Sequence, residues 1–423
     1  MLKSIIRKEI LHNLLSYKFS IITILSTILI LVSIFVMYRD YCLALDNYEI
    51  LQQETEGAIA VIRPTPLSIF ANGLEENLCR SYEPGFVGSI DVSSKQQSVN
   101  DLFKLFTTPD LLYVVKVILS LCAMLFAFDI ICGEKEIGTL RQSLSNSLKR
   151  PILIFGKWAG GFTSFILPFF IAVLLGTIFV TLSPTLDMNP KNWLKLGLFL
   201  LSSVVYLAVF FSLGLLISCL THRSSTSLVF SLFVWAILVF LIPNLGNILA
   251  HQSAKIPTVQ NLELKRWQSG YKISFERDKQ EDSKDDNSKS QEILRRVERI
   301  KLEREKLTEE YRNRLNSLIR TSKNITRFSP AAAFACLATD ITGTGMLEER
   351  RLKRAVVEYM DFIYEDWDWG DDEKNNPPAF SYQRSSIREV LGPEGLSSCL
   401  ILILFNILFL TGAHVAFLRY DVR

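Results

Sequence analysis

The chain has 423 residues, 49% of them hydrophobic, and a positive mean hydropathy of +0.24. Its net charge of +3 comes from 46 basic and 43 acidic residues interleaved along the chain, which excludes the clustered basic surface of a nucleic-acid binder. Soluble domains carry no apolar run approaching 20 residues; this chain carries several, so the composition points to a membrane protein.

Residues 1–18 open the chain. Within them Ile5–Tyr17 holds Arg7, Lys8 and Glu9 among apolar residues at 5, 6, 10, 11, 14 and 15, the pattern of an amphipathic interfacial helix. A bilayer core takes about 20 predominantly apolar residues in helical form, because unsatisfied backbone groups cannot sit in hydrocarbon. Six stretches meet that requirement: Phe19–Tyr38, Leu111–Ile131, Trp158–Leu182, Trp193–Leu220, Leu228–Leu249 and Leu396–Phe417. The first is too long for a signal-peptide core, and the stretch before it exceeds a usual n-region, so it reads as an uncleaved span. The expected fold class is therefore an α-helical polytopic membrane protein with about six transmembrane helices. Pro168 and Pro243 are expected to kink their helices.

Short loops that stay cytoplasmic retain Lys and Arg. Lys3, Arg7, Lys8 and Lys18 precede the first span, Lys135, Arg141, Lys149, Arg150 and Lys157 lie between the second and third, and Arg223 lies between the fourth and fifth. Arg419 and Arg423 close the tail 418–423. Six crossings put all of these on one side, so both termini are expected in the cytoplasm and segments 39–110 and 250–395 outside.

Polar residues inside the spans are few. Lys116 lies near the outer end of span two and can snorkel to the headgroups, and Asp129 sits at the inner end of the same helix. Asn406 and His414 could line a pathway or bond a neighbouring helix. No ladder of Asp, Glu or His crosses the membrane, which argues against ion or proton coupling. The seven cysteines (42, 79, 122, 132, 219, 336 and 399) follow no metal or disulfide spacing. Cys42 and Cys79 could pair in an oxidising compartment.

The most informative stretch is Cys132–Lys157, CGEKEIGTLRQSLSNSLKRPILIFGK. It opens on Glu134-Lys135-Glu136 beside the membrane, turns at Gly138-Thr139, and continues with Leu140, Leu144 and Leu148 at helical spacing. Lys149-Arg150-Pro151 ends that helix and Lys157 anchors the next span. A short amphipathic helix lying along the membrane suits a groove on a soluble partner; the plainer reading is a tether for the loop.

These residues resemble the type-2 ABC exporter permeases, in which the stretch after the second span contacts the ATP-binding subunit. By that resemblance Glu134, Glu136, Gly138, Thr139, Leu140 and Leu144 belong to a coupling element in the cytoplasmic loop 132–157, completed by Arg150 and Lys157. The segment at residues 1–18 resembles the family's elbow helix. The resemblance implies a permease subunit that couples ATP hydrolysis in a separate ATP-binding-cassette subunit to export. It also implies two copies of this chain, or one with a related permease, in contact with membrane lipid in a bacterial inner or plasma membrane. The chain itself has no phosphate loop, since Gly156-Lys157 is followed by Trp158, so no cofactor is expected here; ATP and Mg would sit on the partner.

Segment 250–395 is the unusual feature. Ser288–Lys323 is strongly helical in composition, with Val297, Ile300, Leu307, Tyr311 and Leu318 near a heptad seam. With Leu262–Gln280 it is expected to form a helical hairpin. Thr339–Gly345 reads as a loop and Met346 to Tyr364 as a helix. This order resembles a branch of the permeases with a large external domain before the final span, where a further protein partner could bind. The acidic run Glu365–Glu373 fails the EF-hand spacing and reads as a solvated loop. Ala58–Ile62 and Phe86–Val92 look strand-like, so the outer domain is mainly helical or α+β. Two other functions remain open: a mechanical device acting on an envelope partner without transport, and a membrane-embedded enzyme. The four scattered histidines and the absence of HExxH and GxSxG weigh against the enzyme.

Overall fold

The computed structural model describes residues 2–54, 60–84, 90–93, 109–145, 149–183, 186, 188–253, 261, 264–265, 268, 286–365 and 378–419. Six helices are long and apolar enough to cross a membrane: spans 1 to 6 are Tyr17–Gln52, Leu111–Ile137, Arg150–Thr181, Pro190–Leu220, Ser224–Gly246 and Pro393–Leu418. The chain divides into two compact units, residues 1–239 with 330–423, and residues 240–329.

Proline sets several of the helix starts. Pro151, Pro190 and Pro393 occupy the first turns of spans 3, 4 and 6, where a missing N–H costs nothing. Span 3 runs on through Pro168 as one helix. Pro243 stands in the first turn of the helix Ile242–Ser253, just past the π-helical turn Ile237–Leu241. Span 1 continues well beyond Tyr38 as helix, and its extension buries Tyr41 and Leu45.

In the larger unit, span 4 is the central helix, with Phe199, Tyr206, Phe210 and Phe211 buried. Gly214 lets it approach the backbone of span 2 at Met124, and Gly176 of span 3 receives the side chain of Ile34 from span 1. Such small-residue contacts supply the close packing that lipid, as apolar as leucine, cannot drive by itself. Spans 1, 3 and 5 begin, and spans 2, 4 and 6 end, at one face, termed basal below; ion pairs and hydrogen bonds at Lys18–Asp129, Lys135–Cys219, Glu136–Ser224 and Arg150–Leu418 place those ends together.

A lobe caps the opposite, apical face. The segment between spans 1 and 2 supplies α2 (Glu75–Leu78) and the antiparallel strands β1 (Ser81–Pro84) and β2 (Ile90–Ser93), with Ala60 bridged to Tyr82. The segment before span 6 supplies α7 (Pro330–Thr342), α8 (Met346–Glu365), the extended residues 378–386 and α9 (Ile387–Val390). Ala60, Ile62, Leu78 and Tyr82 pack with Leu352, Val356 and Met360 in one small core. The two segments that sequence places far apart thus share an α+β lobe.

Arg384 locks that lobe. Its guanidinium donates to Glu75 at 2.7 and 3.0 Å, to the Gly343 carbonyl at 2.7 Å and to the Arg63 carbonyl at 3.1 Å. Burial alone would favour the neutral form, but the Glu75 charge outweighs it and holds Arg384 above its ordinary value. Glu348 accepts from Tyr382 and from the Ser385 amide and hydroxyl, while Lys195, near the start of span 4, donates to the Ser385 carbonyl at 3.0 Å.

One sequence expectation is corrected here, and one pairing left open by the sequence is not formed. Thr339–Gly345 is not a loop throughout: α7 reaches Thr342, its apolar face buried through Ile341 and the Thr339 and Thr342 hydroxyls bonded to carbonyls of the preceding turn, and the chain breaks only at Gly343, whose φ of 75° is left-handed. Cys42 and Cys79 are both free thiols: Cys79 lies 3.6 Å from a Glu75 oxygen, and Cys42 packs against the core of the span bundle.

In the smaller unit the helix Ile242–Ser253 meets the carboxyl end of the helix Asp286–Thr326, where Gly246 leaves room for Ile325 and Thr326. Most of Leu262–Gln280, the expected first arm of the hairpin, lies outside the described residues, as does the acidic run beyond Glu365.

Candidate functional site

The basal face is built around the Glu134-Lys135-Glu136 triplet. Span 2 passes Asp129, tightens, and ends in α3 (Cys132–Ile137); α4 (Thr139–Ser145) follows. Gly138 joins them at φ 84°, a left-handed conformation that strains any residue with a Cβ. The Ser218 hydroxyl of span 4 accepts the Ile131 and Cys132 amides, both at 3.0 Å, and so satisfies donors that the break in span 2 would otherwise orphan.

Each charge of the triplet holds a different helix. Glu134 accepts from Lys157 of span 3 at 2.7 Å. Lys135 donates to the Cys219 and Thr221 carbonyls at 2.5 and 3.0 Å, placing a cation on the carboxyl end of span 4. Glu136 accepts from the Ser224 amide and hydroxyl at 3.1 and 2.8 Å, placing an anion on the amino end of span 5. Lys135 and Glu136 therefore match the helix-dipole signs at their contacts, while Glu134 pairs with a cation of span 3.

Lys157 is buried, and its ammonium bridges two acids: Glu134, and Glu9 of the amino-terminal helix α1 (Leu2–Leu14) at 2.8 Å. That helix lies in a groove on span 3. Ile5 crosses Gly156, while Ile6 and Glu9 cross Gly160; any Cβ at these glycines would overlap their neighbours. The apolar set of α1 is accordingly divided. Ile5, Ile6, Ile10 and Leu14 are partly covered, whereas Leu11 and Leu15 are exposed beside Arg7 and Lys8.

Leu140 is also turned inward. It is buried among Ile131, Leu153, Ile154, Leu215, Cys219, Ala413 and Phe417, so the first member of the leucine stripe packs against the chain's own spans. The side chains of Leu144 and Leu148 lie outside the described residues. Arg150 donates to the Leu418 carbonyl at 2.7 Å and closes the end of span 6. What the site offers outward is the turn between α3 and α4: Ile137, 79% exposed, flanked by exposed Glu136, Gly138, Thr139, Arg141 and Gln142.

Six apolar spans, with a turn held at one face by charged side chains, fit a polytopic membrane protein. The family model described as ABC-2 family transporter protein matches residues 3–422. The chain belongs to that family. It is thus the membrane permease subunit of an ABC transporter, and the family implies an ABC ATPase as its partner. No curated protein matches the sequence.

Within this ABC-2 permease, sequence reasoning singled out Glu134, Glu136, Gly138, Thr139, Leu140, Leu144, Arg150 and Lys157; the fold brings all of these but Leu144, whose side chain lies outside the described residues, to one face. It noted Glu9 and Lys135 without giving them a place in the site, and missed Ser218, Ser224 and Ile137. Glu9 was legible as the one acid among Arg7, Lys8 and the apolar positions of α1, but its partner stands 148 residues away. The polar residues of span 6 also find their places: Asn406 accepts from Ser212, which accepts from the Trp158 indole at 2.9 Å, so Asn406 ties span 6 to spans 3 and 4. Among the described residues no cluster of His, Cys, Asp or Glu could hold a metal ion.

Proposed function

We propose that the permease docks its ATP-binding-cassette subunit through the α3–α4 turn, and that ATP hydrolysis there drives export. ATP and Mg bind on the partner, the basal face is cytoplasmic, and two copies of the chain, or one with a related permease, form the pathway. The observation that carries this reading is the placement of Ile137. A large aliphatic side chain stands exposed at the apex of a turn whose base is clamped to spans 3, 4 and 5. A partner that moves Ile137 moves those clamped ends with it. The basic residues of the short loops lie on the same face, in keeping with a cytoplasmic side.

The test uses the permease co-expressed with its ATPase subunit and reconstituted in liposomes. Ile137→Asp, at a position that buries nothing, is expected to leave the permease folded while uncoupling it. Co-purification of the ATPase should fall at least tenfold, and so should permease-dependent ATP hydrolysis. Retention of both would overturn the docking assignment.

The helix Asp286–Thr326 supports a second reading, a mechanical role. Its 41 residues would reach about 60 Å as one rod, longer than an ordinary bilayer core is thick. Transport of a lipid or peptide substrate by the reconstituted complex favours export; coupled ATP hydrolysis with no movement of candidate substrates favours the lever.

A further inference from the structure

Span 2 does not enter the bundle as a regular helix. After one α-helical turn at Leu111–Tyr113, residues Val114–Leu119 form a π-helix before the α-helix resumes at Ser120. A π-turn amounts to one residue more than the α-helix needs, and it leaves carbonyl groups without their regular donors; such turns persist only where other groups supply the missing bonds. Here the supply is specific. The Lys116 carbonyl accepts the Tyr206 hydroxyl of span 4 at 2.7 Å and the Ser120 hydroxyl at 2.6 Å. Ser120 in turn accepts the Trp235 indole N–H of span 5 at 3.0 Å. Tyr206 is held from its other side by Phe334 of α7, whose ring stacks on it at 4.3 Å and 11°.

Two hydroxyls, one from span 4 and one from span 2 itself, therefore meet at one carbonyl, each backed by a further element, and that carbonyl belongs to Lys116, the lysine of this apolar stretch. The ammonium lies 6.0 Å from the Tyr113 ring, an i,i+3 neighbour in the irregular turn. Upstream, the segment is fixed by Asp110, which accepts from the Tyr113 and Asn72 amides at 2.7 and 2.9 Å. The irregularity is thus confined between a rigid cap and a rigid helix.

The geometry points to a register switch. We infer that the π-turn of span 2 is one of two states, held by the Tyr206 and Ser120 hydroxyls. When span 4 withdraws the Tyr206 hydroxyl and span 5 withdraws the Trp235 indole that orients Ser120, the turn relaxes to α-helix. Passing one residue out of the π-turn rotates Lys116 about 100° around the helix and moves it about 1.5 Å along it relative to the body of span 2. Relative movement of spans 2, 4 and 5 is then read out as a new direction for a cation within the bundle. The inference does not rest on docking at Ile137 and can be tested without the ATPase.

Lys116-Val117 is the only Lys–Val pair in the sequence, so carbonyl-labelled lysine combined with amide-labelled valine gives a single carbonyl–nitrogen correlation in solid-state NMR. The measurement is made on the full-length protein in lipid bilayers. The wild type is expected to give one peak, and a variant lacking Val115, in which the extra residue is gone, marks the α-helical position. Tyr206→Phe keeps the ring stack and removes one hydroxyl. It should shift at least a tenth of the intensity to the α-helical position, and Tyr206→Phe with Ser120→Ala should shift most of it. A single peak in both variants that does not reach the position marked by the Val115 deletion would overturn the switch, since loss of the Tyr206 hydrogen bond alone moves the carbonyl without a change of register. Should the double variant fail to assemble, Ser120→Ala alone, which leaves the Tyr206 stack intact, is read by the same criterion.

Discussion

Lys157 is the residue on which the basal face turns. Replacing it with Ala leaves Glu9 and Glu134 facing each other without their shared cation, in a site where the lysine side chain is only 5% exposed. Removing one partner of a buried pair typically costs about 3–5 kcal/mol, because an uncompensated charge stays behind. Denaturant unfolding of the purified protein in detergent should show a loss of that order for Lys157→Ala and a smaller one for Glu9→Gln, which removes charge without exposing a cavity. A second residue-scale effect concerns pH. The Ser386 amide, joined by the Arg351 guanidinium, holds the Glu389 carboxyl below the usual carboxylate range. A carboxyl depressed in the folded state stabilises fully above its unfolded value of about 4.3 and loses that contribution as pH falls through its lower folded value. Hydrogen exchange across residues 386–391, corrected for intrinsic rates, should therefore accelerate below about pH 4 in the wild type. Glu389→Gln should abolish that added pH dependence; persistence of the acid effect in this variant would contradict the assignment.

Helix packing is decided by glycines whose positions can be told apart. At Gly160 a Cβ would sit 2.7 Å from Glu9 Cβ and 3.1 Å from the Ile6 carbonyl oxygen, and backbone cannot swing aside. Gly160→Ala should lift α1 from span 3, with an overpacking penalty of about 1–3 kcal/mol and faster proteolysis of the amino terminus. Gly197 in span 4 meets nothing within 4 Å, so Gly197→Ala should leave stability unchanged or raise it by up to about 1 kcal/mol through helix propensity. The spans themselves were legible in the sequence, since hydrocarbon demands long apolar runs and nothing else in the chain resembles them. The helix α7 was not. Its 13 residues are too few to cross a bilayer, and Thr339, Thr342 and Gly343 carry the composition of a turn. The division of α1 was equally hidden, because the apolar positions of α1 do not by themselves show that Gly156 and Gly160 of span 3 receive Ile5 and Ile6 and leave Leu11 uncovered.

For the whole molecule, long-range ion pairs organise the two faces of the span-bearing unit. Arg384 and Glu75, 309 residues apart, join the segment after span 1 to the segment before span 6. Glu9, Lys157 and Glu134 join the amino terminus to span 3 and to the end of span 2. The sequence displayed these charges but not their pairing, which depends on the order in which six spans pack. Family resemblance marked Glu134 and Glu136 as coupling residues; the fold adds that both grip neighbouring helices, and under the proposed docking they would keep the turn rigid while Ile137 presents it outward. Site-specific photocrosslinking tests this most directly. A photoreactive amino acid at position 137 of the co-expressed permease should crosslink to the ATP-binding-cassette subunit, whereas one at the exposed Leu194, on the apical side of span 4, should not. Crosslinking from 194 rather than 137 would contradict both the docking surface and the orientation assigned to the protein.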